Sequence, residues 1–387
     1  MELFPAVLIG GPPHSGKSVL TYSLSYALRR RGVAHYVLRA APDGEGDWFY
    51  EGNPNHVRLL RIKGAFDRRW VERICRDIRR RHLPLLIDVG GQPTPEQEAI
   101  FAMATHAILV TRDPTFRPDW LRAIRKYGLY LIADLDSRPE GPSEIHEDQP
   151  VLRGVIAGLE RGRRAEGAVF EALVNRLAAL FAYRPEELRR YHRMMAPEVD
   201  WYVDLDDLAR RIGVRWEGEA PRWAPEDLSR VLEDLPSGAS MALYGRGPAW
   251  LYAALAALAF PASLFQFDPR WGWMAPPTLL PQPGLPEAGA LRFVERPAPA
   301  GWRWLGITRA HPYLDREEVD GAAVPAAVPG ERWVADGKLP LWLWTALARA
   351  WAGLEALAVF DPRFPGAVVV LSRDPAWPVG AVVQPPG

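Results

Sequence analysis

Gly11-Pro12-Pro13-His14-Ser15-Gly16-Lys17-Ser18 decides how the first half of this chain is read. It fits G-x-x-x-x-G-K-[ST], and it lies between an apolar run (residues 6 to 11) and a helical pattern (Ser18 to Arg30), the strand–loop–helix setting the motif needs. Glycines let backbone wrap closely round a phosphate, and a helix N-terminus offers free N–H groups to it. Gly11, His14, Ser15, Gly16, Lys17 and Ser18 are therefore the candidate nucleotide-binding residues. Lys17 reaches the outer phosphates and Ser18 is a candidate Mg²⁺ ligand.

Working outward, short apolar runs alternate with helical patterns: HYVLRA (35 to 40), PLLIDVGG (84 to 91), HAILVT (106 to 111), GLYLIADLD (128 to 136) and VLRGVIAGL (151 to 159). Such alternation predicts βαβ units, hence an α/β fold with a mostly parallel sheet: a P-loop NTPase domain over residues 1 to 200. A second Mg²⁺-holding residue is expected at the end of a buried strand, and Asp88 fits. Asp88-Val89-Gly90-Gly91-Gln92 also resembles the D-x-x-G-Q switch segment of GTPases, which makes Gln92 the candidate for orienting water. The expected base-reading N/T-K-x-D falls on Ala133-Asp134-Leu135-Asp136 and keeps only Asp136, so ATP is favoured over GTP. Lys17, Asp88 and Gln92 form the catalytic set of this half.

The chain has 387 residues with 47 basic and 47 acidic side chains. Only four of the basic ones are lysines: Lys17, Lys63, Lys126 and Lys338. Zero net charge argues against a protein that coats nucleic acid through a basic field. Single Cys75 rules out an intrachain disulfide framework and zinc sites of several thiolates. With no apolar run of membrane-spanning length, a cytoplasmic protein with no membrane partner is expected.

Three of the sixteen tryptophans fall in residues 1 to 200 and thirteen in the rest, and proline is dense in the second half, which suggests a boundary near residue 200. The second half holds a repeat. Gly245-Arg246-Gly247-Pro248-Ala249-Trp250-Leu251 is echoed by Gly337-Lys338-Leu339-Pro340-Leu341-Trp342-Leu343. Each is followed by an Ala/Leu/Trp-rich helical stretch and then by Phe267-Asp268-Pro269-Arg270 or Phe360-Asp361-Pro362-Arg363. One module used twice explains this spacing. A glycine loop carrying Arg246 or Lys338 can clamp a phosphodiester, and each Asp-Pro-Arg step sets a carboxylate beside a phosphate-seeking guanidinium. Exposed tryptophans would stack on bases, whereas buried ones would only fill core.

The loop, the helix and the aromatic-Asp-Pro-Arg step leading into Pro365-Gly366-Ala367-Val368-Val369-Val370 resemble the Csx-three family of CRISPR-associated ring nucleases. The resemblance covers about 212 to 285 and 302 to 387. It implies tandem small α/β ring-nuclease-like modules (201 to 300 with a Pro-rich tail, and 301 to 387), a cyclic oligoadenylate or RNA tail as partner, and Mn²⁺ as a further metal. It points to Gly245, Arg246, Arg270, Lys338 and Arg363 as ligand-binding residues, with Asp268 and Asp361 as catalytic ones. The family's histidine, about nine residues before the motif aspartate, is missing from Ala259-Phe260-Pro261 and Trp351-Ala352-Gly353, and His311 lies elsewhere. The combined expectation is a type III CRISPR accessory protein with ATP and Mg²⁺ at the P-loop, assembling as a homo-oligomer. The alternative is a nucleotide or small-molecule kinase with its acceptor near Asp43, whose C-terminal modules mediate oligomerisation.

Overall fold

A computed structural model describes the protein over residues 4–40, 68–90, 95–218, 220–310 and 314–385. These fall into two compact units. One comprises the described residues up to Met194 with Pro269–Gly272, and the other Met195–Asp268 with the described residues from Trp273 onward.

In the first unit the order is β1 (Ala6–Gly10), α1 (Lys17–Arg30), β2 (Tyr36–Ala40), α2 (Arg68–Arg79), β3 (Leu85–Val89), α3 (Pro95–Phe101), β4 (His106–Thr111), α4 (Arg117–Lys126), β5 (Tyr130–Arg138), β6 (Glu144–Glu147), β7 (Leu152–Ala157), α5 (Ala168–Leu180) and α6 (Pro185–Met194). One seven-stranded sheet runs β2-β3-β1-β4-β5-β7-β6. All neighbours are parallel except β6, which pairs antiparallel with β7 at the edge. Period-two alternation divides each strand between two cores. Val7, Ile9, Ile108 and Val110 pack under Leu20, Leu24 and Leu28 of α1 and Leu173 and Leu177 of α5. Ala6, Leu8, Ala107 and Leu109 pack under Val71 and Ile74 of α2, Phe101 of α3 and Trp120 of α4. With helices on both faces the parallel sheet is buried, as its continuous apolar strands require. The connection after β1 leads toward β2 and that after β4 toward β5, on opposite sides, so the C-terminal ends of β1 and β4 are the switch point where α/β sheets bind ligands.

The second unit contains β8 (Trp201–Asp204), α7 (Leu205–Arg211), β9 (Trp216–Glu217), β10 (Ala220–Pro221), α8 (Asp227–Asp234), β11 (Met241–Tyr244), α9 (Ala249–Ala259), β12 (Leu264–Asp268), β13 (Gly272–Met274), β14 (Leu280–Gln282), β15 (Leu291–Arg296), β16 (Arg303–Arg309), α10 (Arg316–Val319), β17 (Ala323–Pro325), β18 (Arg332–Asp336), α11 (Leu341–Ala350), β19 (Ala356–Asp361), β20 (Gly366–Ser372) and β21 (Val382–Val383). Its main sheets run β13-β12-β11-β8 and β15-β16-β18-β19-β20-β21. Their centres match: β8, β11 and β12 are parallel in one, β16, β18 and β19 in the other. β8 pairs parallel with β11 although residues 205 to 240 separate the two strands in sequence. β15, in the Pro-rich stretch, pairs antiparallel with β16 in the second sheet.

The repeat extends to helix starts. Pro248 and Pro340 cap α9 and α11 with φ/ψ of −68°/158° and −68°/155°. Their carbonyls accept from the amides of Leu251 (3.1 Å) and Leu343 (3.0 Å). Helix α9, AWLYAALAALA, is apolar on every side and therefore buried all round. It packs against α11 and against β19 and β20 of the other copy.

Candidate functional site

The glycine-rich loop between β1 and α1 takes the conformation its glycines require. Gly11 has φ +147° and a Cβ there would lie 1.9 Å from the Val110 carbonyl oxygen; Gly16 has φ +81° and its Cβ would lie 2.4 Å from Leu159 Cβ. Only glycine meets both the backbone geometry and the lack of room. Lys17 opens α1, is buried, and folds its ammonium back to donate to the Pro12 carbonyl at 2.7 Å. Ser15 is fully buried, and its Oγ accepts from the Arg112 amide at 3.3 Å, joining the loop to the end of β4. Ser18 is half-buried in the first turn, and His14 is exposed with φ +63°.

Asp88 is buried at the end of β3, directly across from Ile9 of β1. A tight glycine cradle, a hydroxyl in the first helical turn and a buried carboxylate on the neighbouring strand are groups of the kind that could hold a phosphate-bound Mg²⁺, which takes only one or two protein ligands. Gln92, Asp43, Lys63 and His311 lie outside the described residues. Asp136, at the base-reading position, is paired with Arg117. Arg117 also approaches Asp134 at 3.5 Å. Burial raises the Asp134 carboxyl above its ordinary value, and Arg117 opposes this.

In the second unit the motif residues meet crosswise. A cleft of about 810 Å³ is lined by Arg246, Gly247 and Pro248 from the loop of the first copy and by Arg363 and Phe364 from the Asp-Pro-Arg step of the second. Asp361 is buried and holds Arg363 by two oxygens, with Nε at 2.9 and 3.2 Å. It also accepts from Nε1 of Trp250, in the first copy, at 3.1 Å. Burial alone would raise the Asp361 carboxyl, but the hydrogen bonds from Arg363 and Trp250 carry it below the ordinary value. A second polar bolt crosses between copies where Thr345 Oγ1 of α11 donates to Gln266 Oε1 of β12 at 2.7 Å, both buried.

The other repeat residues are placed differently. Gly245 precedes Arg246, and its carbonyl accepts from the Tyr252 hydroxyl at 2.6 Å. Burial raises that hydroxyl's pKa, and the nearby Asp268 adds to it. Asp268, half-buried at the end of β12, is not a lining residue of the cleft. Arg270 is ion-paired with buried Asp77 at 2.7 Å. Lys338 is exposed, with no ion-pair partner among the described residues.

Sequence reasoning missed the rest of the cleft. Its far wall is Gly213 to Arg230, which carries Arg215, Trp216, Arg222 and Trp223. The signal was Arg215-Trp216 echoed by Arg222-Trp223, joined by a turn too short for a strand period. Of the tryptophans, Trp120, Trp250, Trp333, Trp342, Trp344 and Trp351 are core, at 2% exposure or less. The stacking candidate in the cleft is half-buried Trp216, with Arg210 4.7 Å from its ring centroid.

Among the described residues no three His, Cys, Asp or Glu side chains converge to hold a metal. No described helix is long and apolar enough to cross a membrane.

Compared with known proteins, the chain is 41% identical over 51 residues to an uncharacterized protein of Aquifex aeolicus (strain VF5). That stretch is 13% of this chain and spans about half (46%) of the relative's length. Residues 307–384, which hold the loop, helix and Asp-Pro-Arg step of the second copy, match the family described as CRISPR-associated protein (Cas_csx3).

Proposed function

We propose that the second unit binds a phosphodiester-linked oligoadenylate, a cyclic oligoadenylate or an RNA tail, in the cleft between the loop of one copy and the Asp-Pro-Arg step of the other, and that the P-loop of the first unit binds ATP with Mg²⁺. The observation that carries the reading is the convergence of Arg246 and Arg363 on one cleft, although they come from different copies of the repeat. Arg363 is preset by the Asp361 carboxylate, which spares the ligand the cost of ordering it. Arg246 is exposed and has no ion-pair partner among the described residues, so its guanidinium is free for a phosphate.

At the P-loop, Gly11, Ser15, Gly16 and Lys17 surround the phosphates, and Ser18 and Asp88 hold the Mg²⁺ that offsets their charge. Pairing of Asp136 with Arg117 withdraws the one base-reading residue the sequence keeps, which favours ATP over GTP. With no histidine at either motif position, the cleft binds without the family's usual means of cleavage.

Fluorescence anisotropy tests the reading with labelled cyclic tetra-adenylate and linear tetra-adenylate against wild type and Arg246→Ala. Binding in the micromolar range that Arg246→Ala weakens about tenfold supports it. A wild type that binds neither probe, or an Arg246→Ala protein that binds both as well as wild type does, sinks it.

A further inference from the structure

The two copies differ most in what lies between their first and second parallel strands. In the second copy this segment forms the short α10 and β17, which pairs parallel with β14. In the first it forms α7, the β9–β10 hairpin and α8, and the hairpin lines the cleft. We infer that this hairpin is a specificity wall that makes the cleft a single site per chain for a nucleotide whose phosphate lies at Arg246 and Arg363 and whose base stacks on Trp216. The inference rests on the phosphodiester reading of the cleft and adds to it the residues that select the ligand.

Three observations carry it. Trp216 lines the cleft half-buried, with Arg210 over its ring, and an indole in a cleft wall is a stacking surface for a base. Trp223 also lines the cleft, is 8% exposed, and its indole N–H has no acceptor among the described residues. A buried donor without a partner costs stability unless a ligand or water supplies the acceptor, so the wall offers a hydrogen bond as well as a stacking surface. Arg215 is exposed in the same wall and has no ion-pair partner among the described residues, in contrast to Arg222, paired with Glu217, and Arg230, paired with Asp227. Among the described residues the wall occurs once. Arg270, the first copy's counterpart of Arg363, is committed to Asp77, so the repeat does not supply a second equal cleft.

The test uses the full chain with labelled linear tetra-adenylate, isothermal titration for stoichiometry, and circular dichroism to check folding. Trp216→Ala should weaken binding fivefold or more, with Trp216→Phe recovering most of it, since a phenyl ring still stacks. Exposed Arg215→Ala, which leaves the core untouched, should weaken binding and lower the salt slope by about one. Titration should give one ligand per chain. Trp216→Ala and Arg215→Ala within twofold of wild type while Arg246→Ala loses binding would overturn the wall and leave the cleft reading standing. Two equal sites per chain would do the same. A wild type that binds no probe overturns both.

Discussion

Trp250 donates its indole N–H to Asp361 across 111 positions of sequence, from the first turn of α9 in one copy to the last residue of β19 in the other. Because Asp361 also grips Arg363, a core tryptophan of the first copy helps aim a cleft guanidinium of the second. Trp250→Phe keeps an aromatic ring but removes the donor from a buried carboxylate. It should destabilise the second unit by about 1–3 kcal/mol and weaken oligoadenylate binding, read by urea denaturation and anisotropy. Equal affinity in the variant would separate Trp250 from the cleft.

Thr345→Val tests the other bolt. The substitution is close to isosteric but leaves Gln266 Oε1 without its 2.7 Å donor in a dry core, and should cost about 1–3 kcal/mol in the same denaturation measurement. Combined with Trp250→Phe, a loss greater or smaller than the sum would show that the two bolts act on one shared interface.

At the P-loop, two substitutions separate binding from folding. Lys17→Ala should leave the protein folded by circular dichroism and reduce affinity for a fluorescent ATP analogue about tenfold to a hundredfold. Gly11→Ala should do the opposite first: the added methyl meets the Val110 carbonyl oxygen at 1.9 Å on a backbone with φ +147°, so destabilisation of roughly 2 kcal/mol or more should appear with no nucleotide present. Competition with GTP should be weaker than with ATP.

Much of this was legible beforehand for a physical reason. Strands β1, β3 and β4 are buried on both faces, so each reads as a nearly continuous apolar run, and Gly11 and Gly16 stand where backbone geometry allows nothing else. β6 was not legible: EIHE is an exposed edge whose charges hide its alternation. β8, β9 and β10 are too short to show a period. The repeat itself showed in the sequence, but its crosswise packing did not, because the pairing of Arg246 with Arg363 is set by how α9 and α11 pack.

Acid should weaken the two units in different ranges. His192 is buried, with Nε2 donating to the His82 carbonyl at 2.8 Å, and burial, partly offset by that bond, lowers its pKa from 6.5 to about 4. The folded state resists a proton that the unfolded chain accepts, so stability present at neutral pH falls as pH drops from about 6.5 toward 4, at up to ~1.4 kcal/mol per pH unit. His192→Gln should flatten that slope. Asp361, depressed below the ordinary carboxylate value, loses its contribution only at more acid pH, below about 4. Denaturation of the full chain at a series of pH values, comparing His192→Gln with wild type, checks this; a His192→Gln slope equal to wild type refutes it.

The crosswise cleft also bears on how this chain can change over time. In a symmetric pair of identical subunits any substitution falls on both sides of the shared interface at once, and the two halves must stay alike. With both copies in one polypeptide, a mutation falls on one side only. Arg246 can face a ligand while its counterpart is Lys338, and Arg363 can stay beside its carboxylate while Arg270 is given to Asp77. Duplication within the chain thus turns a site bound to symmetry into one whose two edges can be tuned separately, each by single substitutions.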